Sequence, residues 1–275
     1  MNSRSPLRTA LLGMLPLLIS SPGQAMEPQT IVLASTTSVQ DSGLLTHILP
    51  QFTDETGITV HVLAQGTGQA LATAAHGDAD LVLVHDPEAE AAFMAAGHGA
   101  SRTEIAWNDF VIVGPDADPA HVGGRTDATD ALKAIAAAGV PFVSRGDKSG
   151  TDAEEKRLWR SAGVIPSGGW YREIGGGMGA ALNAASAMGA YTLSDRGTWL
   201  SYGNKTGMTI VVEGDRRMLN LYDVILLNPQ TRPQAKQAPA HRLADWLASP
   251  EGQTAIASYT KGGQKLFHPE TDPKP

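Results

Sequence analysis

Short apolar runs alternate with helix-like stretches along almost the whole chain, and that alternation leaves few folds open. The runs Thr30–Ala34, Ile58–Leu63, Asp80–Val84, Phe110–Val113, Val140–Val143, Trp170–Ile174, Ala190–Leu193, Ile210–Glu213 and Val224–Leu227 are of strand length. Between them lie helix patterns. One is opened by Asp41-Ser42-Gly43 with Leu44, Leu45, Ile48, Leu49 and Phe52 on one stripe, carries Pro50, which should kink or break it, and ends at Gly57. Others span Gly66–Gly77, Glu88–Ala96, Asp127–Ala138, Asp152–Ser161 and Ala180–Met188, and one follows Ser194-Asp195-Arg196-Gly197. The tail adds Ala240–Leu247 and a last helix capped by Ser249 with Pro250 as its first residue. Strands alternating with helices predict an α/β fold with a mostly parallel sheet. In such sheets ligands sit beyond the C-terminal strand ends, against helix N-termini.

Four of those strand-to-helix turns share one chemistry: Ser35-Thr36-Thr37-Ser38, Gly66-Thr67-Gly68-Gln69, Arg145 to Thr151, and Gly175 to Gly179. Hydroxyls donate without adding charge, glycines let a bound group approach the backbone, and a helix start offers unpaired N–H groups. Arg145 adds a fixed cation with a fork of donors. Together they are the parts of an anion site. Two turns fall in each half of the chain, which suggests two lobes facing one cleft. Each turn also has a plainer explanation. Ser and Thr are favoured as helix caps, paired glycines make tight turns, and Arg145 can form a surface pair with Asp147.

Other chemistries lack their residues. There is no Gly-Lys-Ser/Thr phosphate loop, no complete dinucleotide fingerprint and no Gly-x-Ser-x-Gly elbow, so a hydrolase of phosphate or sulfate esters has no visible nucleophile and base. His85-Asp86-Pro87-Glu88 has ligand-type side chains, but no second cluster stands at metal-ligand spacing and the eight His are scattered, so no metal site or cofactor is expected. The absence of Cys excludes disulfides and thiolate sites. Residues 1–25 read as a signal peptide: Arg4 and Arg8, a short apolar stretch, and small residues before a cleavage point after Ala25. Loss of those two Arg would take the net charge from −7 to −9, which argues against nucleic acid or anionic lipid as partner. No later run is long enough for stable membrane insertion. Export without Cys fits a periplasm.

Eight stretches carry a family resemblance: ASTTSVQDSGLL at 34–45, GTGQAL at 66–71, GDADLVLVHDPEAE at 77–90, NDFVIVGP at 108–115, SRGDKSGT at 144–151, GMGA at 177–180, YTLSDRGT at 191–198 and VEGD at 212–215. In this order they resemble the periplasmic tungstate-binding proteins, the Tup-type substrate-binding components of ABC importers. The one departure is Ser35, which opens a turn that often reads Thr-Thr-Thr-Ser in the family. The resemblance implies a two-lobe class II venus-flytrap fold, with lobe one at 27–112 plus 224–275, lobe two at 113–223, and a hinge near Val111–Gly114 and Leu221–Val224. It further implies a monomer that binds tungstate, with molybdate weaker, and serves an ABC permease and its ATPase without being an enzyme. Carried over, the oxyanion ligands are Thr36, Ser38, Arg145 and Thr151, with backbone N–H groups at Met178 and Gly179, and Thr37, Thr67 and Ser149 in support. A phosphate-binding protein is the alternative. It needs an acceptor for the proton that phosphate keeps, and Asp147 is the candidate.

Overall fold

A computed structural model describes Met1 and residues 29–274; the signal peptide expected at 1–25 lies outside the described residues. β1 (Gln29–Thr36), β2 (Ile58–Gln65) and β3 (Leu81–Val84) pair in parallel in the order β2-β1-β3. Parallel neighbours need crossovers, and helices supply them: α1 (Thr37–Ser42) and α2 (Leu44–Thr56) lead from β1 to β2, and α3 (Thr67–His76) from β2 to β3. The helix expected to open at Asp41-Ser42-Gly43 is α2, and α1 precedes it over residues that read as the end of a turn. Gly43 adopts φ +86°, closing α1 and opening α2, and a residue with a Cβ is strained there. Pro50 stays inside α2 without ending it. Its position is exposed, as is Thr46, whose carbonyl it leaves without a helical partner, so water can serve that carbonyl.

After α4 (Pro87–Ala95) comes β4, which runs from Gly99 to Pro115 and so starts well before the strand expected at Phe110. Ser101, Arg102, Thr103 and Glu104 hide its first half from any apolar pattern, and what holds that half is pairing. From 99 to 109 it lies antiparallel to β9 (Leu219–Leu227), which in turn pairs with β3. From Phe110 onward it lies antiparallel to β7 (Tyr191–Asp195) and β8 (Met208–Val212). The second sheet continues with β5 (Phe142–Ser144), parallel to both β7 and β6 (Tyr171–Glu173). Its helices are α5 (Ala128–Ala138), α6 (Gly150–Ser161), α7 (Met178–Met188) and α8 (Arg196–Ser201). Thus β4 belongs to both sheets, and the sheet is mixed because β4 and β9 add antiparallel pairs to the parallel outer strands.

Each sheet is covered on both faces. In the first, alternation along β1 sends Ile31 and Leu33 into a cluster with Phe52, Leu247 and Phe267, and Ala34 into one with Ala70, Val82 and Phe93. In the second, Phe110 and Ile112 pack with Leu132 and Trp159, while Val111 and Val113 pack with Leu182 and Trp199. The C-terminal α9 (Gln237–Ala248) and α10 (Pro250–Ser258) return to the first sheet, with Ser249 capping α10 and Pro250 as its first residue, as expected. No helix among the described residues is long and apolar enough to cross a membrane.

Candidate functional site

None of the four glycine- and hydroxyl-rich turns starts its helix on a carboxylate: Thr36 caps α1 and Ser149 caps α6. α4, α5 and α8 start on the carboxylates of Asp86, Asp127 and Asp195. α3 and α7 start on Gly66 and Gly177 with no side-chain cap, and neither has an acid in its first turn. Their leading N–H groups, Met178 and Gly179 among them, are therefore not taken by a side chain of the chain itself. The parallel register Thr36↔Gln65 sets Gly66-Thr67 beside Thr36-Thr37. Thr67 is buried and its hydroxyl has no partner. Thr37 is half-buried, Met178 is buried, and Gly179 is exposed.

On the first-lobe side the hydroxyls form a chain. Thr36 Oγ1 accepts from Val39 N (3.2 Å) and lies 3.0 Å from Ser38 Oγ. Ser38 Oγ lies 2.9 Å from His85 Nε2, just beyond the C-terminal end of β3. His85 Nδ1 meets Asn220 Oδ1 at 2.9 Å, and Asn220 Nδ2 donates to Asn108 Oδ1 and Tyr222 OH. The imidazole stacks on Tyr222 with centroids 5.0 Å apart. Ser38 and His85 are buried, and burial pushes the imidazole below its ordinary value; Asp195, the Asn220 hydrogen bond and Asp86 pull it back up, and Arg145 acts with burial.

On the second-lobe side the site is built from charge. Arg145 is only 3 % exposed, so its ion pair with Asp147 is not a surface pair. Asp147 Oδ2 accepts from Nε (3.1 Å) and Nη2 (2.6 Å), and Oδ1 accepts from Ser149 N (3.1 Å). Burial raises the Asp147 carboxyl, but the Ser149 and Arg145 interactions outweigh it and hold it below the usual range. Arg145 Nη1 also donates to Thr151 Oγ1 at 3.3 Å, which leaves the Thr151 hydroxyl hydrogen unengaged. The turn is wound around a second acid. With Gly146 and Lys148 both left-handed (φ +62° and +60°), Gly146 N and Lys148 N donate to Asp152. Those N–H groups are consumed inside the turn, contrary to a picture in which the whole loop cradles an anion. Ser149 caps α6 through Asp152 N, so Gly150 N and Thr151 N remain. Gly176 N donates to Arg145 O (3.1 Å), which ties the start of α7 to this turn.

Contacts join the two sides. A Cβ at Gly150 would stand 2.8 Å from His85 Cε1, so the start of α6 lies flat on the imidazole. Arg157 Nη1 reaches Asp86 Oδ1 at 2.9 Å. Of the residues expected from the sequence, Thr36 and Ser38 thus meet through hydroxyl bonds, Arg145 and Thr151 meet directly, and Ser149 serves chiefly as the α6 cap. The sequence offered His85 only as a metal-ligand type and Gly150 only as a glycine of the Arg145 turn, and gave Asn108 and Asn220 no role. His85 carried a further usable signal, since it follows an apolar strand directly, where such folds keep their ligands; Asn108 and Asn220 gave none. The acceptor role open to Asp147 in a phosphate site is weakened, because both of its oxygens are already engaged. Among the described residues no group of three or more His, Cys, Asp or Glu could hold a metal ion.

Known proteins share this architecture. A family model described as a PBP superfamily domain matches residues 23–251. The tungstate-binding protein TupA of Peptoclostridium acidaminophilum is 43 % identical over 244 residues, covering 87 % of this chain and 85 % of that one. The structure of the tungstate-binding protein TupA from Desulfovibrio alaskensis G20 superimposes with a TM-score of 0.79 at 42 % identity, over 89 % of this chain and all (100 %) of that one. The tungstate ABC transporter structure from Geobacter sulfurreducens gives 0.77 at 44 % identity, over 84 % and 98 %. The α/β two-lobe architecture expected from the sequence is that of these structures.

Proposed function

This chain belongs to the PBP superfamily and, within it, to the family of the TupA tungstate-binding proteins, and from that premise we propose how it works. It is a solute-binding protein that captures tungstate between two lobes and delivers it to an ABC importer. The observation that carries the site assignment is that Gly150 lies against His85, which sets the turn of buried Arg145 and Thr151, on one lobe, next to the buried hydroxyl chain of Thr36 and Ser38 that ends on His85, on the other. Tungstate is small and doubly negative, so desolvating it is costly and its oxygens need charge-assisted donors. Arg145, the Thr151 hydroxyl, Gly150 N and Thr151 N supply them from one side. Ser38, Thr36, Thr67 and the α3 N–H groups supply them from the other, with Thr37 in support. Met178 N and Gly179 N complete the rim.

Donors from both lobes make binding and closure one event. The lobes, 27–112 with 224–275 and 113–223, would rotate about β4 and β9. Supporting this, β4 changes sheet between Asp109 and Phe110. No bond is made or broken in this scheme and no cofactor takes part. The closed form would dock on a membrane permease with its ATPase, and the working compartment is the periplasm. Sulfate, with shorter bonds to oxygen, would not reach every donor and would leave some unpaired. Molybdate is nearly isosteric and should bind, more weakly.

The test is calorimetric titration of the signal-free protein with tungstate, molybdate, sulfate and phosphate in a phosphate-free buffer. One-to-one tungstate binding with no heat from sulfate or phosphate is the expected outcome. Binding of phosphate in preference to tungstate would overturn the assignment.

A further inference from the structure

Taking this cleft as the oxyanion site, we infer that His85 is a proton-linked positioning residue: capture of a doubly charged oxyanion draws one proton from solvent onto His85 Nε2, and that proton frees one hydroxyl hydrogen of the Ser38–Thr36 pair to donate to the anion. The inference follows from the polarity of one buried chain. Asn108 Nδ2 donates to the Leu266 carbonyl (3.3 Å), which fixes the Asn108 amide and makes its Oδ1 an acceptor. Asn220 Nδ2 donates to that Oδ1 at 2.8 Å, so Asn220 Oδ1 faces His85 Nδ1. Nδ1 must then carry a hydrogen, and in the neutral ring Nε2 is bare. A bare Nε2 takes the hydrogen of Ser38, 2.9 Å away. Ser38 Oγ, 3.0 Å from Thr36 Oγ1, then has only lone pairs to offer, so Thr36 gives its hydrogen to Ser38. Thr36 Oγ1 already accepts from Val39 N. In this state neither hydroxyl has a hydrogen left for an anion, and their lone pairs would repel one.

One proton on Nε2 reverses this. Nε2–H then donates to Ser38 Oγ, and the Ser38 hydrogen is released toward the cleft. The same proton supplies charge where it is short, because the cation of Arg145 is already countered by Asp147. The groups around the imidazole suit a ring that is neutral until the anion arrives. Asp86, beside it in sequence, is committed to Arg157. Asp195, on β7, caps α8 through Thr198 N. From the second lobe Gly150 covers the ring and Arg145 opposes its charging; from β9 Tyr222 stacks on it and Asn220 binds it. Burial is the largest influence and holds the free ring neutral. A dianion at the Ser38 end is the one added charge that would reverse the balance.

The experiment is tungstate titration of the full signal-free protein by calorimetry, from about pH 6.5 to about pH 9, each pH in two buffers of different ionisation enthalpy. The expected result is uptake approaching one proton per anion toward the neutral end of this range, where the free ring is already neutral, fading once the pH exceeds the raised value of the bound ring; it is seen as a buffer-dependent apparent enthalpy, with affinity tightening toward about tenfold per unit fall in pH where the uptake is full. His85→Gln should still bind, more weakly, with that uptake and slope gone. Glu90, raised to about 8 mainly by burial, and Glu155, raised to about 7 by burial, also titrate in this range and persist in that variant, so uptake surviving in His85→Gln would overturn the inference. Tungstate binding to the wild type with no buffer dependence and a flat affinity would overturn it too, even if the variant fails to fold, and would leave the functional reading standing. No tungstate binding at any pH would remove the functional reading itself.

Discussion

The two walls of the cleft solve the same problem with different materials. The first-lobe wall is uncharged. It presents Thr36, Ser38 and Thr67, backed by His85 and two asparagines, and its donors can be re-aimed by rotating a hydroxyl. The second-lobe wall is charged and fixed. Arg145 is clamped by Asp147, and the turn is wound on Asp152, which also takes Lys156 at 2.8 Å. The contrast teaches a division of labour. In the proposed site a preset cation would fix where the anion's charge must sit, and adjustable hydroxyl donors would close around it afterwards. A wall of fixed charge on each side would repel its counterpart when the cleft shuts without ligand. The carboxylates nearest the site are engaged in bonds of their own: Asp147 and Asp152 in holding the Arg145 turn, Asp86 in holding Arg157.

Breaking the charged wall should have the largest effect. Arg145→Ala removes the cation and strands Asp147, and tungstate affinity should fall by about 3–5 kcal/mol in calorimetry, the range for breaking a buried pair. A loss of less than about tenfold, with circular dichroism unchanged, would mean that the neutral wall carries the binding and that the comparison is drawn the wrong way round. Next is the seam. Gly150→Ala places a methyl 2.8 Å from His85 Cε1, so imidazole and helix must separate, and affinity should drop by one to two orders of magnitude, about 1.5–3 kcal/mol. Scattering should show a more open average shape in the presence of tungstate. Single donors come third. Thr36→Ala and Thr151→Ala should each cost about 1–3 kcal/mol of affinity, and only Thr36→Ala should also lower the melting temperature, since Thr36 caps α1. Arg157→Ala sharpens the comparison most gently. Its bond to Asp86 crosses the lobes away from the anion, so affinity should fall by about 1 kcal/mol or less. The dissociation rate, measured by stopped flow, should rise in the same proportion.

Much of this was legible along the chain because the signals were local. Ser249 and Pro250 open α10 as their types require, Asp127 caps α5, and the hydroxyls and Arg145 stood out by standing directly at strand ends. The first half of β4 was not legible, since Ser101 to Glu104 form a strand only because β9 lies alongside. The short α1 was not legible, because Thr37 to Ser42 read as a turn and the opening of α2, whereas Gly43 sits left-handed between two helices. His85 was weighed as a metal ligand and set aside for want of partners of the right type. Its actual partners are a serine and an asparagine, residues 38 and 220, which no spacing rule connects.

Residue order alone determined the alternation of strand and helix, the family and the donor types, because propensity, capping and apolar periodicity act over a few residues and are written there directly. Only the tertiary structure decided which donors remain free. It spent three N–H groups of the Arg145 turn on Asp152 and Asp147, pressed Gly150 against His85, and aligned Leu266, Asn108, Asn220, His85 and Ser38 into one chain with a direction. A hydrogen bond's polarity depends on what each partner already holds. That is settled by contacts among residues far apart in sequence, and by the exclusion of water that makes every such commitment costly to reverse.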